Sequence, residues 1–265
     1  RCGRGRDHPH RSPLFSLLVM KNPILRRAAL AAILSVPFLP TQAAPELQPH
    51  PAFAPVRQTD WWGDRHEAKL REVAQKGREI DLVFLGDSIT QGLERPASAQ
   101  IVAETFPGMT VLNLGYNADK TENVLWRLRH GEVDGLSPKV VVVMIGTNNS
   151  GHRADPPEIT AKGIGMILED LRAKMPNAKI ALLSIFPRGD AAHPINQKIN
   201  ALLPALADGE TIFHFDLNEA FLDANGQVPP EIMPDKLHPS EKGNALWMKA
   251  LKPRLTQILP APGAS

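Results

Sequence analysis

Five short apolar runs, Leu82–Leu85, Val111–Leu114, Val140–Ile145, Ile180–Ile185 and Ile212–Phe215, recur along the chain, separated by segments with helical spacing. Most are rich in β-branched or aromatic residues and none alternates cleanly between apolar and polar, which is how strands buried on both faces read. The helical segments are Asp64–Lys76, Ala97–Thr105, Thr121–Arg129, Pro157–Lys174, Pro194–Ala207 and Ser240–Leu259. In the first of these, Leu70, Val73 and Ala74 share a face among charges, and Gly77 follows as a stop signal. Strand-helix alternation requires crossovers of one hand. It predicts a single α/β domain over residues 60–265: a three-layer sandwich whose five-stranded parallel sheet is covered by helices on both sides.

Charge narrows the choice of partners. The chain has 30 basic and 28 acidic residues, but Arg1, Arg4, Arg6, Arg11, Lys21, Arg26 and Arg27 stand at the front against Asp7 alone. Setting those aside leaves 23 basic and 27 acidic residues, a net of −4, so charge gives no support to a nucleic-acid partner. Met20 with its following basic residues, the apolar run Ala28–Leu39 and the small residues Thr41, Ala43 and Ala44 have the three-part layout of a secretory signal. The run is too short to span a bilayer, so no stable membrane insertion is expected after cleavage. Residues 1–44 are accordingly read as an upstream extension plus signal peptide, with residues 1–19 before the true start, and the product as exported to a bacterial periplasm or the extracellular space. Proline-rich residues 45–59 are expected to be a flexible lead-in. The single cysteine, Cys2, falls in the leader, which leaves the mature chain without disulfides, a cysteine nucleophile or a thiolate-bound metal.

In parallel α/β sheets, ligands bind beyond the carboxyl ends of the strands, so polar residues just after the apolar runs are the candidates. After the first run comes Gly86-Asp87-Ser88-Ile89-Thr90. There a serine stands at a strand-to-helix turn, its backbone N–H at a helix start that favours negative charge; Asp87, Ser88 or Thr90 serves equally well as a plain helix cap. After the second run comes Gly115, either a tight turn or a place where a backbone N–H can approach an oxyanion unobstructed. After the third comes Gly146-Thr147-Asn148, whose asparagine is a common loop residue and also a neutral oxyanion donor. Beyond the fifth, Asp235-Lys236-Leu237-His238 sets a carboxylate three residues before an imidazole, a spacing that lets the acid turn back onto the ring.

Taken together and in chain order, Gly86-Asp87-Ser88-Ile89, Gly115, Gly146-Thr147-Asn148 and Asp235-x-x-His238 resemble the four signature blocks of the SGNH, or GDSL, hydrolase family. Thr121–Leu128 and Ile185–Gly189 look most like the esterases related to platelet-activating factor acetylhydrolase catalytic subunits. The resemblance implies the flavodoxin-like SGNH fold and a carboxylic ester hydrolase with Ser88 as nucleophile and Asp235 and His238 completing the triad. It also implies an oxyanion hole from the Ser88 N–H, the Gly115 N–H and the Asn148 side chain, with no metal or organic cofactor. The expected substrate is a small-molecule or polysaccharide ester carrying a short acyl group, acetyl first, with a homodimer among the assemblies open to it. Longer-chain lipase, lysophospholipase or thioesterase activity is the enzymatic alternative, and an inactive glycan-binding module the non-enzymatic one.

Other features invite plainer readings. Tyr116 and Asn117 either narrow the acyl pocket or lie outside it. Gly163-Ile164-Gly165 is a dinucleotide-fingerprint fragment in a helical stretch and reads as packing. Asp223-Ala224-Asn225-Gly226 reads as a turn rather than a calcium loop. His66, His130, His152, His193 and His214 lack metal-ligand spacing.

Overall fold

In the computed structural model, which describes residues 50–58 and 61–259, every apolar run forms a strand. These are β1 (Leu82–Gly86), β2 (Val111–Gly115), β3 (Val140–Met144), β4 (Lys179–Leu183) and β5 (Ile212–Phe215). All pairings are parallel, in the order β2-β1-β3-β4-β5, the flavodoxin-like arrangement. β4 stops before Ile185 because that residue's N–H turns away to Asn200 Oδ1 at 2.7 Å. The signal peptide, the upstream extension and residues 45–49 and 59 of the lead-in lie outside the described residues.

Successive strand residues face opposite layers. Val83 and Leu85 pack with Val124, Leu125 and Leu128 of α4 (Thr121–Arg129), Ile164, Ile167 and Leu171 of α6 (Pro157–Lys174) and Ile199 of α7 (His193–Leu202). Val73 of α1 (Trp61–Lys76) joins the same layer. Leu82 and Phe84 point the other way, onto Val102 of α3 (Pro96–Thr105) and Trp247, Met248, Leu251 and Leu255 of α8 (Glu241–Ile258). Burying a side chain of this size stabilises by roughly 1.5–3 kcal/mol, and both faces of the sheet are covered, which is why neither shows polar alternation. α7 passes into a 3-10 turn at Leu203–Leu206, short of the predicted helix end, because Pro204 has no N–H for the helical ladder. None of the described helices is long and apolar enough to cross a membrane.

Residues 50–58 correct the expectation of a flexible lead-in. Ala52 is fully buried and its carbonyl accepts from Thr121 Oγ1 at 3.0 Å. The Val56 N–H donates to Glu122 O (3.3 Å), Val56 O accepts from Asn123 Nδ2 (3.0 Å), and Gln58 Nε2 donates to Asp119 Oδ1 (2.8 Å). Proline content removes donors from a segment but does not prevent it from docking, and here α4 and Asp119 just ahead of it supply the partners.

Strand register prepares the site. Gly86 pairs with both Gly115 and Met144, so β1, β2 and β3 end at one level and the three following loops leave the sheet side by side.

Candidate active site

Beyond β1 the chain enters a single helical turn, α2 (Ser88–Gln91), capped by Asp87, whose Oδ1 accepts from the Ile89 N–H at 3.0 Å. The capping role thus falls to Asp87 and leaves the Ser88 hydroxyl unused by the helix. From the far end of the chain, the segment before α8 folds back on itself. Lys236 adopts φ 65°, and Asp235 Oδ1 accepts from the backbone N–H groups of Leu237 (3.0 Å) and His238 (2.7 Å). This turn aims the other carboxylate oxygen, Oδ2, at His238 Nδ1, 2.6 Å away. On the opposite edge of the ring, His238 Nε2 lies 2.8 Å from Ser88 Oγ, a residue 150 positions earlier. A carboxylate only accepts, so the ring proton sits on Nδ1 and Nε2 is left to receive the serine proton. Partial burial would raise the Asp235 carboxyl, but the His238 N–H, the imidazole and the Leu237 N–H outweigh it and hold the group down at about 2. It is therefore ionised wherever the imidazole could act as a base.

Asn148 lies in α5 (Thr147–Arg153), which starts directly after Gly146 at φ 123°. Its Nδ2 donates one hydrogen to Asp119 O at 2.9 Å, which fixes the carboxamide and leaves the second hydrogen for a ligand. The Ser88 N–H, at the first position of α2, has no intrahelical acceptor.

Gly115 does not fit its expected place in the oxyanion hole. Its N–H is already donated to Asn113 Oδ1 at 2.8 Å. Glycine is required there for a different reason: a Cβ on residue 115 would stand 2.2 Å from Gln91 N, so the bare backbone lets β2 lie against α2. The backbone amide that the structure leaves without a partner among the described residues is three positions on, at Ala118. This residue has a left-handed φ of 62° between Asn117, which lines the cleft beside the serine, and Asp119, whose carbonyl holds Asn148.

Behind these loops lies a buried ionic network. Arg127 Nε donates to Asp119 Oδ2 (2.9 Å), its Nη1 pairs with Glu132, and its Nη2 reaches Leu114 O (3.2 Å), with all three charged side chains fully buried. Asp119 Oδ1 also accepts from Trp62 Nε1 at 2.8 Å. Burial lifts the Asp119 carboxyl to about 6, and Arg127 and Trp62 hold it from rising further. Asp87 is fully buried, and burial together with the charge of Asp119 outweighs the Ile89 N–H, its own backbone N–H and Arg188, so its carboxyl is pushed up to about 7.

Around Ser88 and His238 opens a cleft of about 480 Å³, its walls completed by Gln91, Gly92, Glu94, Arg95 and Asn117. Across residues 84–246, more than half of the chain and the stretch that holds all these groups, the sequence matches the GDSL-like Lipase/Acylhydrolase family. The chain belongs to this family. It is 36% identical over 217 residues to platelet-activating factor acetylhydrolase IB subunit alpha1 of Pongo abelii, covering 79% of this chain and 91% of that one. Against the alpha2 subunit of Rattus norvegicus it is 34% identical over 222 residues, covering 81% and 92%. The fold also matches a GDSL-like lipase from Bacteroides thetaiotaomicron (TM-score 0.59, 21% identity, 74% of this chain and 98% of that one). A member of the lipolytic G-D-S-L family from Veillonella parvula gives a TM-score of 0.58 at 18% identity, over 67% and 99%.

In this GDSL acylhydrolase, the two residues left open after Gly115 separate. Tyr116 is fully buried, its ring 4.0 Å from the Arg127 guanidinium carbon and 5.4 Å from the Trp62 ring, whereas Asn117 lines the cleft. Gly163 packs against Thr121, and Asp223 closes a turn by accepting from the N–H groups of Asn225 and Gln227. Sequence reasoning missed Ala118, Asp119 and Gln91. An alanine in left-handed backbone leaves no compositional trace, and Asp119 and Gln91 act through contacts with residues far away in the chain.

Proposed function

We propose that this acylhydrolase is a serine esterase that removes short acyl groups, acetyl first among them, from carbohydrates or small alcohols. The observation that carries this is the unbroken hydrogen-bonded line from Ser88 Oγ through the His238 ring to Asp235. In the first step Ser88 Oγ bonds to the ester carbonyl carbon as its proton passes to His238 Nε2. The carbonyl π electrons move onto oxygen, and Asp235 balances the imidazolium. Collapse of the tetrahedral intermediate expels the alcohol, which takes the proton from Nε2. Water then repeats the sequence on the acyl-enzyme, releasing the acid and restoring the serine. The Ser88 N–H, the free Asn148 Nδ2 hydrogen and the Ala118 N–H, in place of Gly115, stabilise the oxyanion.

Acyl size is argued from the walls. Apart from the His238 ring, no described side chain around the cleft is aliphatic or aromatic, so most methylenes of a long chain would forgo the roughly 0.8 kcal/mol that burial supplies. The similarity to proteins named as acetylhydrolases points the same way. On 4-nitrophenyl esters, kcat/KM for acetate should exceed that for decanoate by at least tenfold; equal or reversed rates would overturn the preference.

Arg95, which lines the cleft with no acidic partner among the described residues, favours a second reading of the leaving group: an alcohol bearing a phosphate. Arg95→Gln should slow hydrolysis of an acetylated glycerophosphate while sparing xylose acetate if that holds, and should affect both alike if it does not. The leader at residues 20–44 supports an enzyme that meets its substrate outside the cytoplasm, testable by fractionation of cells expressing the full chain.

A further inference from the structure

A second cavity of about 480 Å³ opens beyond the ends of β4 and β5, on the other side of the turn that holds Asp235. Pro234 and Lys236, the residues either side of that aspartate, form part of its wall. Two of its lining residues each hold a buried polar atom without a partner among the described residues: Arg188 Nε, a donor, and Asn218 Oδ1, an acceptor. The Arg188 side chain is only 8% exposed. Its two terminal nitrogens are committed, one to Thr147 O and Oγ1 (2.8 and 3.0 Å) and the other to Asp190. Asn218 Nδ2 is likewise engaged, by Ile185 O at 3.2 Å. Buried polar groups are normally satisfied, and leaving one bare costs about 1–3 kcal/mol. Both residues belong to the cavity wall, one with an unused donor and the other with an unused acceptor, and a hydroxyl group can satisfy such a pair, since it accepts one hydrogen bond while donating another.

The remaining wall extends the pattern. Gln197 and Gln227 place carboxamides at the rim whose side chains have no partner among the described residues, and Leu222 and Met233 offer apolar surface. Among the described residues no carboxylate lines the cavity, and its volume falls within the range of small-molecule sites. From these features we infer that the cavity is a second binding site, for a neutral polyhydroxylated ligand the size of one or two sugar rings. Hydroxyls would satisfy Arg188, Asn218 and the two glutamines, while the ring's C–H face would rest on Leu222 and Met233. The site is tied to the acid–base turn by the Gly189 N–H, which donates to Lys236 O at 2.9 Å. It does not depend on ester hydrolysis.

The test is titration of the full-length protein with glucose, xylose and cellotriose by calorimetry, with cyclohexanemethanol as a ring of similar size carrying one hydroxyl. Saturable binding of at least one sugar and none of the control is expected, undiminished in Ser88→Ala. Asn218→Leu should weaken it about tenfold, the usual effect of losing one buried hydrogen bond. Because Asn218 also holds Ile185 O, the double variant Gln197→Leu/Gln227→Leu, whose side chains hold no part of the fold, should weaken binding several-fold with 4-nitrophenyl acetate hydrolysis unchanged. Absence of saturable binding, or binding lost in Asn117→Ala but kept in both cavity variants, would overturn the proposal.

Discussion

Replacing Arg127 by methionine separates the scaffold's contribution to the site from that of the reacting groups. The arginine is fully buried between Asp119 and Glu132, both also without solvent exposure. Removing one partner of such a pair leaves a buried charge uncompensated, which costs about 3–5 kcal/mol, and here two carboxylates are stranded. In a domain of this size each kcal/mol lowers Tm by about 2–4 °C, so a fall of about 6–20 °C is expected in thermal unfolding followed by circular dichroism. The loss has a pH signature. Without the guanidinium, burial outweighs the remaining hydrogen bonds to these acids, of which Asp119 already stands at about 6. Their folded-state pKa values then lie above the unfolded ones, so the variant gains stability as pH falls and loses it as pH rises through that window. The gap to the parent should therefore be wider at pH 8 than at pH 5. A drop of less than about 3 °C, or a gap that does not change with pH, would refute the network's role. Because Arg127 also holds Leu114 O and the Asp119 carbonyl anchors Asn148, kcat on an acetate ester should fall as well.

Asn148→Ala should lower kcat by about 100- to 1,000-fold with a much smaller change in KM, the usual cost of an oxyanion donor; parental rates would remove Asn148 from the chemistry. Ala118→Gly relieves a left-handed φ that costs an L-residue roughly 1–2 kcal/mol and should raise Tm by a few degrees while keeping the activity, with a lower Tm counting against strain at that position. Gly115→Ala should abolish activity and destabilise the fold, because the new methyl meets the Gln91 backbone at 2.2 Å; a well-folded, active variant would show that β2 and α2 have room to separate.

Legibility followed the range of the interactions. Strands buried on both faces, such as Val140–Met144, announce themselves because burial alone decides their composition, and the long helices show their apolar stripes for the same reason. The turn at Asp235 was legible too, since an acid three residues before a histidine closes on it through local backbone hydrogen bonds. What escaped depends on contacts between distant segments. The docking of residues 50–58 needs α4 in place to accept it, and the role of Gly115 is set by the Gln91 backbone lying against it. Its amide was spoken for by Asn113, a local bond that the residue type does not announce. Four-residue α2 is too short for any periodicity to register.

The proposed activation of Ser88 by His238 is tested directly by reaction with a fluorophosphonate. Intact mass followed by peptide mapping at neutral pH should find one adduct, on Ser88, forming at least about 100-fold more slowly in His238→Ala, within the range expected of a general base. Modification of a different residue, or an undiminished rate at Ser88 once the imidazole is gone, would contradict that activation.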